Sequence, residues 1–235
     1  MAIAIMQPYI FPYIGYFQMV EAVETFVFYD DVHFIKKGWI NKNRILLGGQ
    51  DYTFTVPCIK ISQNKLILET QVVPQSPEIQ KIIGQIEQAY RKAPHFDAVF
   101  PMIQKVLQSE VEHIGQLAAQ SVQEVCRFLG VERKWLVSSI HSSQTKGMDK
   151  ADRLIQITKD LGYTEYINAP GGRELYTKEY FASHGVNLSF ISPAGQLQYE
   201  QGKAKNFVPW LSIIDVLMYC SIDQTRSMMQ HYSLD

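Results

Sequence analysis

Blocks of apolar and polar positions change period along the chain, and each period predicts an element. Ala2-Ile3-Ala4-Ile5-Met6 is an apolar run of strand length that Gln7-Pro8 stops. Pro8 and Pro12 then bracket an aromatic turn, and Gly15 stands where a helix begins. A second apolar strand, Thr25 to Tyr29, ends in Asp30-Asp31. Gly48-Gly49-Gln50-Asp51 separates Asn43–Leu46 from Tyr52–Val56, which predicts a hairpin, and Leu66 to Val73 forms another extended piece. From 76 to 129 the period becomes helical. Ile79, Ile82, Ile83, Ile86 and Tyr90 share one face, Val99, Met102, Ile103, Val106 and Leu107 a second, and Ile114, Leu117, Val122, Val125 and Leu129 a third. Pro94 divides the first two helices and Gly130 caps the last.

After this block strands and helices alternate again. Lys134 to Ile140 is a predicted strand, Asp149 to Leu161 a helix, Glu165 to Asn168 a strand, Arg173 to His184 a helix and Asn187 to Ile191 a strand. Ser212 to Cys220 closes as an amphipathic helix, with Ser212 and Asp215 predicted to form a capping box. Strands joined through single helices imply crossovers and parallel pairing. The expectation is an α/β fold: a Rossmann-like, mostly parallel sheet of five parallel strands with an edge β-hairpin. A helical insertion at about 76–130 lies between the halves of one domain spanning 1–235.

Composition narrows the function without naming it. The 235 residues are 46% hydrophobic and 19% charged with a formal net charge of −1, so a global basic field for nucleic acid is absent. Three separated cysteines, Cys58, Cys126 and Cys220, fit neither a disulfide framework nor a cysteine zinc site and point to a reducing cytoplasm. No basic n-region precedes the first apolar run, and no apolar stretch approaches ~18 residues, so neither a signal peptide nor membrane insertion is expected.

The chemistry concentrates at predicted strand ends, where α/β proteins bind ligands. Gln7 and Tyr13 lie in the first such loop, and Gly15 would let a ligand approach the backbone and helix start. Side chains of Asp30 and Asp31 point to opposite faces, so one faces the crevice while the other caps a turn or pairs with a cation. Together with His33, two residues beyond Asp31, they are the candidate catalytic groups. Lys37, Trp39, Asn43 and Arg44 offer cations and an aromatic face, a set suited to a phosphate-bearing small molecule. His141, Asn168, Gly171, Gly172 and Arg173 sit in the loops of later strands as further binding candidates. No GxGxxG, P-loop, GxSxG or HExxH motif occurs, and no metal set is predicted. Cys58 is expected to be a structural thiol.

MQPYIFPYIGYF, FYDDVHFIKKGWINKNRI, YINAPGGRELY and FVPWLSIIDVLMYCS together give a chain-wide match. On these segments, residues 3 to about 222 resemble the WbqC-like family of bacterial O-antigen and other biosynthetic clusters. The resemblance implies acyl transfer, in the form of glycine attachment to an amino sugar. His33 departs from the Gln often found at its place in that family. The expected partners are an amino acid and a nucleotide-linked amino sugar, with a carrier protein or aminoacyl-tRNA bringing an activated aminoacyl donor. The alternative is an ATP-dependent adenylate-forming ligase or nucleotidyltransferase-like enzyme, because Pro12–Tyr16 sits where nucleotidyltransferases place an HxGH turn, here without its histidines. A non-catalytic sugar-nucleotide-binding protein is the third expectation.

Overall fold

The computed structural model describes residues 1–195, 197–202 and 204–235. The first strand, β1 (Ala2–Met6), leads through a seven-residue loop into α1 (Ile14–Glu21) and β2 (Thr25–Phe28). Then come the hairpin β3 (Lys42–Leu47) and β4 (Gln50–Thr55), followed by α2 (Pro77–Tyr90), α3 (Phe96–Leu107) and α4 (Ile114–Phe128). The alternating half holds β5 (Lys134–Val137), α5 (Ser138–His141), α6 (Lys150–Asp160), β6 (Glu165–Asn168), α7 (Lys178–Ser183) and β7 (Asn187–Pro193). The chain closes with α8 (Ile213–Tyr219), α9 (Ile222–Gln230) and β8 (Tyr232–Leu234).

The strands lie in the order β5-β2-β1-β6-β7-β8, parallel throughout except for β8. The chain therefore winds outward from β1 through β2 to β5, then returns to the other side of β1 for β6 and β7. That reversal between β1 and β6 is the switch point at which open α/β sheets leave a crevice beyond their carboxyl ends. Gln7 and Asn168 flank it.

Strand alternation assigns the two layers. Ala4, Phe26, Phe28 and Ile167 pack against α1, the helices 77–128 and the closing helices. Ile3, Ile5, Val27, Leu136 and Tyr166 face α6 and α7 on the other side. Positive φ at both Gly48 and Gly49 gives the hairpin the tight turn its twist requires. It forms a two-stranded sheet of its own, with Ile45 and Phe54 buried and the Leu46 N–H donating to the Tyr90 hydroxyl of α2 at 3.0 Å.

Several boundaries differ from expectation. β5 stops at Val137 because Ser138 and Ser139 turn to the carboxylates that follow β2. Residues 66–73 hold a 3₁₀ turn, Ile67–Glu69, rather than a strand, since the Ile67 and Leu68 N–H groups donate to Val32 and Asp30. The predicted helix 173–184 is divided: a 3₁₀ turn spans Pro170–Glu174, and α7 starts only after Thr177, whose hydroxyl caps it. The Ser212–Cys220 helix is not the last one, because the Ser221/Gln224 capping box starts α9.

Candidate functional site

Asp30 and Asp31 leave the carboxyl end of β2 and are both buried. Asp31 accepts from the Ser138 hydroxyl at 2.5 Å and pairs with Arg153 of α6 at 2.5 Å, with side chains only 3% and 6% exposed. Asp30 accepts from the Ser139 N–H at 3.1 Å and the Ser139 hydroxyl at 2.8 Å. Ser138 links the two, because its oxygen also accepts from the Asp30 N–H at 3.3 Å. The Arg153 guanidinium lies 4.8 Å from the Tyr29 ring centre, and its Nε donates to Thr145 at 3.1 Å. A buried carboxylate with such partners is held in one orientation. Asp31 is thus the cation-paired member of the doublet. His33 is exposed and its backbone bridges to Leu66.

The loop after β1 builds a second centre. The Asn43 amide donates to the Ile10 and Phe11 carbonyls at 3.1 and 2.8 Å, holding Phe11 at φ +40°. This clamp engages the Asn43 amide at the floor of the loop. Tyr16 and Phe17 are buried, whereas the ring of Tyr13 folds over Gly15, where an added Cβ would meet it at 2.3 Å. The Tyr13 ring therefore stands where a side chain at position 15 would be. Tyr9, Pro12, Tyr13, Trp39, Arg44 and Trp210 surround a pocket of about 360 Å³ that Asn43 also lines.

Arg44 is the cation of that pocket. Its Nη1 pairs with half-exposed Asp51 at 2.9 Å, and its Nη2 donates to the Pro209 and Trp210 carbonyls at 3.2 Å each. Its buried Nε has no hydrogen-bond partner among the described residues. The guanidinium also lies 5.9 Å from the Trp39 ring centre, as does the Lys42 ammonium. Burial pushes the Tyr13 hydroxyl pKa upward, and that of Tyr9 to about 12, with a smaller contribution from Tyr13.

The remaining candidates are dispersed. The Gln7 carbonyl accepts from the Tyr16 hydroxyl at 2.9 Å. Asn168 accepts from the Ala169 N–H at 2.7 Å, and its amide occupies the space beside Gly172, where a Cβ would meet it at 2.6 Å. Gly172 thus serves the fold rather than ligand approach, while Gly171 is exposed with open space beside it. Arg173 is drawn to Asp235 and Phe190, and Lys37 is exposed. His141 is exposed and its Nδ1 lies 3.0 Å from the carbonyl of Val137 at the end of β5. None of Asp30, Asp31, His33, Asn168 or Arg173 lines the aromatic pocket. Among the described residues no His/Cys/Asp/Glu cluster is placed to hold a metal, and no helix is long and apolar enough to cross a membrane.

The model of the WbqC-like protein family matches residues 7–227, which contain both centres. The chain belongs to this family. A Mycobacterium tuberculosis (strain ATCC 25618 / H37Rv) relative, "Uncharacterized protein Rv1507c", is similar: 26% identical over 217 residues, covering 92% of each chain. No solved structure matches.

In this WbqC-like chain a third cluster escapes the sequence pattern. Ser212 caps α8, but Asp215 turns inward instead of closing a capping box. Its carboxylate accepts from the Tyr90 hydroxyl at 2.8 Å and the Tyr199 hydroxyl at 2.7 Å, with Gln201 at 3.3 Å. Burial pushes the Asp215 pKa up against these three donors. The Gln201 amide in turn bonds both backbone groups of Val208. Asp215 thereby anchors the segment that carries Trp210 to the pocket. Arg153, Ser138 and Ser139 were equally hidden: an arginine in an amphipathic helix and a Ser-Ser pair read as solvent-facing until β5 is laid beside β2.

Proposed function

We propose that this WbqC-like protein is an enzyme that transfers an acyl group to the amine of a nucleotide-linked amino sugar. The observation that carries the proposal is the pocket of Tyr9, Tyr13, Trp39 and Trp210 around Arg44, whose buried Nε lacks a partner among the described residues. Aromatic rings suit the faces of a base or sugar, and a guanidinium suits phosphate. The exposed pairing of Arg44 with Asp51 is weak enough for an incoming anion to replace.

The chemistry needs a neutral amine and an acyl donor activated as an ester or thioester on a carrier or tRNA. The amine nitrogen attacks the acyl carbonyl, a C–N bond forms and the bond to the carrier breaks. The amine proton passes to a carboxylate, and the departing carrier oxygen or sulfur takes up a proton. Of the doublet Asp30 is the candidate base, because Asp31 is tied to Arg153; Asp30 does not line the Arg44 pocket, so this role requires the amino sugar to extend from that pocket toward the end of β2. Glycine is the first acyl group to test. One observation favours a non-catalytic sugar-nucleotide-binding protein instead: every oxygen of Asp30 and Asp31 already accepts a hydrogen bond.

Incubation with nucleotide-linked amino sugars and a panel of glycyl, other aminoacyl and acyl donors, read by mass spectrometry, tests the proposal. The expected product gains the mass of one acyl unit without ATP. A gain that requires free amino acid and ATP replaces transfer by adenylate-forming ligation. Saturable sugar-nucleotide binding with no product across the panel leaves the non-catalytic function.

A further inference from the structure

Behind the Tyr13–Trp210 edge-to-face pair, whose ring centres are 5.6 Å apart, lies a second chamber of about 330 Å³. The same two rings border the Arg44 pocket, so each chamber begins where the other ends. Its character is different. Ile14, Leu197, Phe207, Val208, Val216 and Met228 give it apolar walls. Two of its polar side chains are already engaged: the Gln18 amide donates to the Met228 and His231 carbonyls at 3.0 and 2.9 Å, and the Tyr199 hydroxyl donates to Asp215. A polar ligand entering here would lose water without regaining hydrogen bonds from these groups. A glycyl group would leave most of the volume unfilled.

We propose that this chamber binds the aliphatic acyl chain of the donor, beside the sugar nucleotide held in the adjoining Arg44 pocket. The inference rests on the acyl-transfer function proposed above and narrows its acyl group from glycyl to aliphatic. Two features select this occupant. The volume is that of a small-molecule pocket rather than a groove for a protein partner. The chamber shares the Tyr13–Trp210 border with the Arg44 pocket, so an acyl chain held in it lies next to the site proposed for the sugar nucleotide.

The test is a chain-length series on the full chain, using N-acetylcysteamine thioesters from acetyl to dodecanoyl and the free carboxylates of the same lengths, read by calorimetry. Each added methylene buried should tighten thioester binding roughly fourfold until the chamber is full. Leu197→Trp, which fills the chamber from a half-buried loop position, should flatten that dependence. Competition of dodecanoyl thioester by dodecanol on the unaltered protein serves the same purpose if the variant does not fold. A flat profile with the unaltered protein overturns the proposal, and binding of free carboxylates alone overturns the assignment to an acyl donor. Steep chain-length dependence with no acylated sugar nucleotide keeps the chamber and removes the transfer function. Glycyl transfer with a flat profile does the reverse.

Discussion

Removing one partner from the Asp31–Arg153 pair leaves a buried charge without its counter-ion, which costs far more than a surface pair would. Arg153→Met is expected to lower stability by about 3–5 kcal/mol, read as a urea midpoint shift at unchanged slope. A loss below about 1 kcal/mol would show that Asp31 finds water or another donor. Asp30→Asn keeps an acceptor for the Ser139 N–H while removing a base, so acyl transfer should fall by about 100-fold or more with stability nearly unchanged. Near-normal turnover would remove Asp30 from the chemistry. Arg44→Ala should raise KM for the sugar nucleotide by about tenfold or more while kcat changes less. Equal loss in both would move Arg44 from substrate holding to the transition state. At this scale the pairing of one member of the doublet with a cation was legible, but the expectation of opposite faces fails: both residues lie beyond β2, and their carboxylates converge on the Ser138 hydroxyl at 3.1 and 2.5 Å. Which arginine was not legible, since Arg153 lies 122 positions away and only strand order brings it near.

Tyr199, Gln201 and Val208 owe their positions to α8, through Asp215 and its phenol and amide donors. Burial raises the Asp215 pKa in the folded state, so the folded protein holds that proton more tightly than the unfolded chain. Its stabilising contribution is complete below the unfolded value of about 3.9 and is lost as pH rises through the higher folded value. Urea titrations from pH 3 to 8 should therefore show Asp215→Asn gaining on the wild type as pH rises, with the difference levelling above the folded pKa. A pH-independent difference would place the proton elsewhere. The thiols give a companion test. Burial holds Cys58 and Cys126 at about 12 and Cys220 at about 11, so native protein at pH 8 should react slowly with a disulfide reagent and fast in denaturant. Period alone revealed α2, α3, α4 and α6, whose apolar faces recur at helical spacing. It missed the short α5 and the closing α9, and it started α7 too early, because the Thr177 and Ser221 caps set where α7 and α9 begin.

One continuous apolar cluster runs from the sheet through α1 and the 77–128 helices to α8 and α9. Shared burial of this kind predicts joint unfolding, so the fluorescence of Trp135 on β5, read with Trp39 and Trp210 replaced by Phe, and far-UV circular dichroism should give the same urea midpoint. Separate midpoints would divide the helical insertion from the sheet. The alternating blocks made the parallel sheet legible before any coordinate, but β8 and the hairpin's separation from the main sheet depend on contacts that no local period records. The strand order has a consequence during synthesis. One edge of β1 is met by β2 almost at once, whereas the other waits for β6, with Ile5 and Tyr166 separated by 161 positions. At a ribosomal pace of ~5–20 residues per second that wait lasts roughly 10 to 30 seconds. Throughout it the nascent chain leaves unpaired the edge of Ala2–Ala4 that β6 will meet, an open template that a second nascent chain could join.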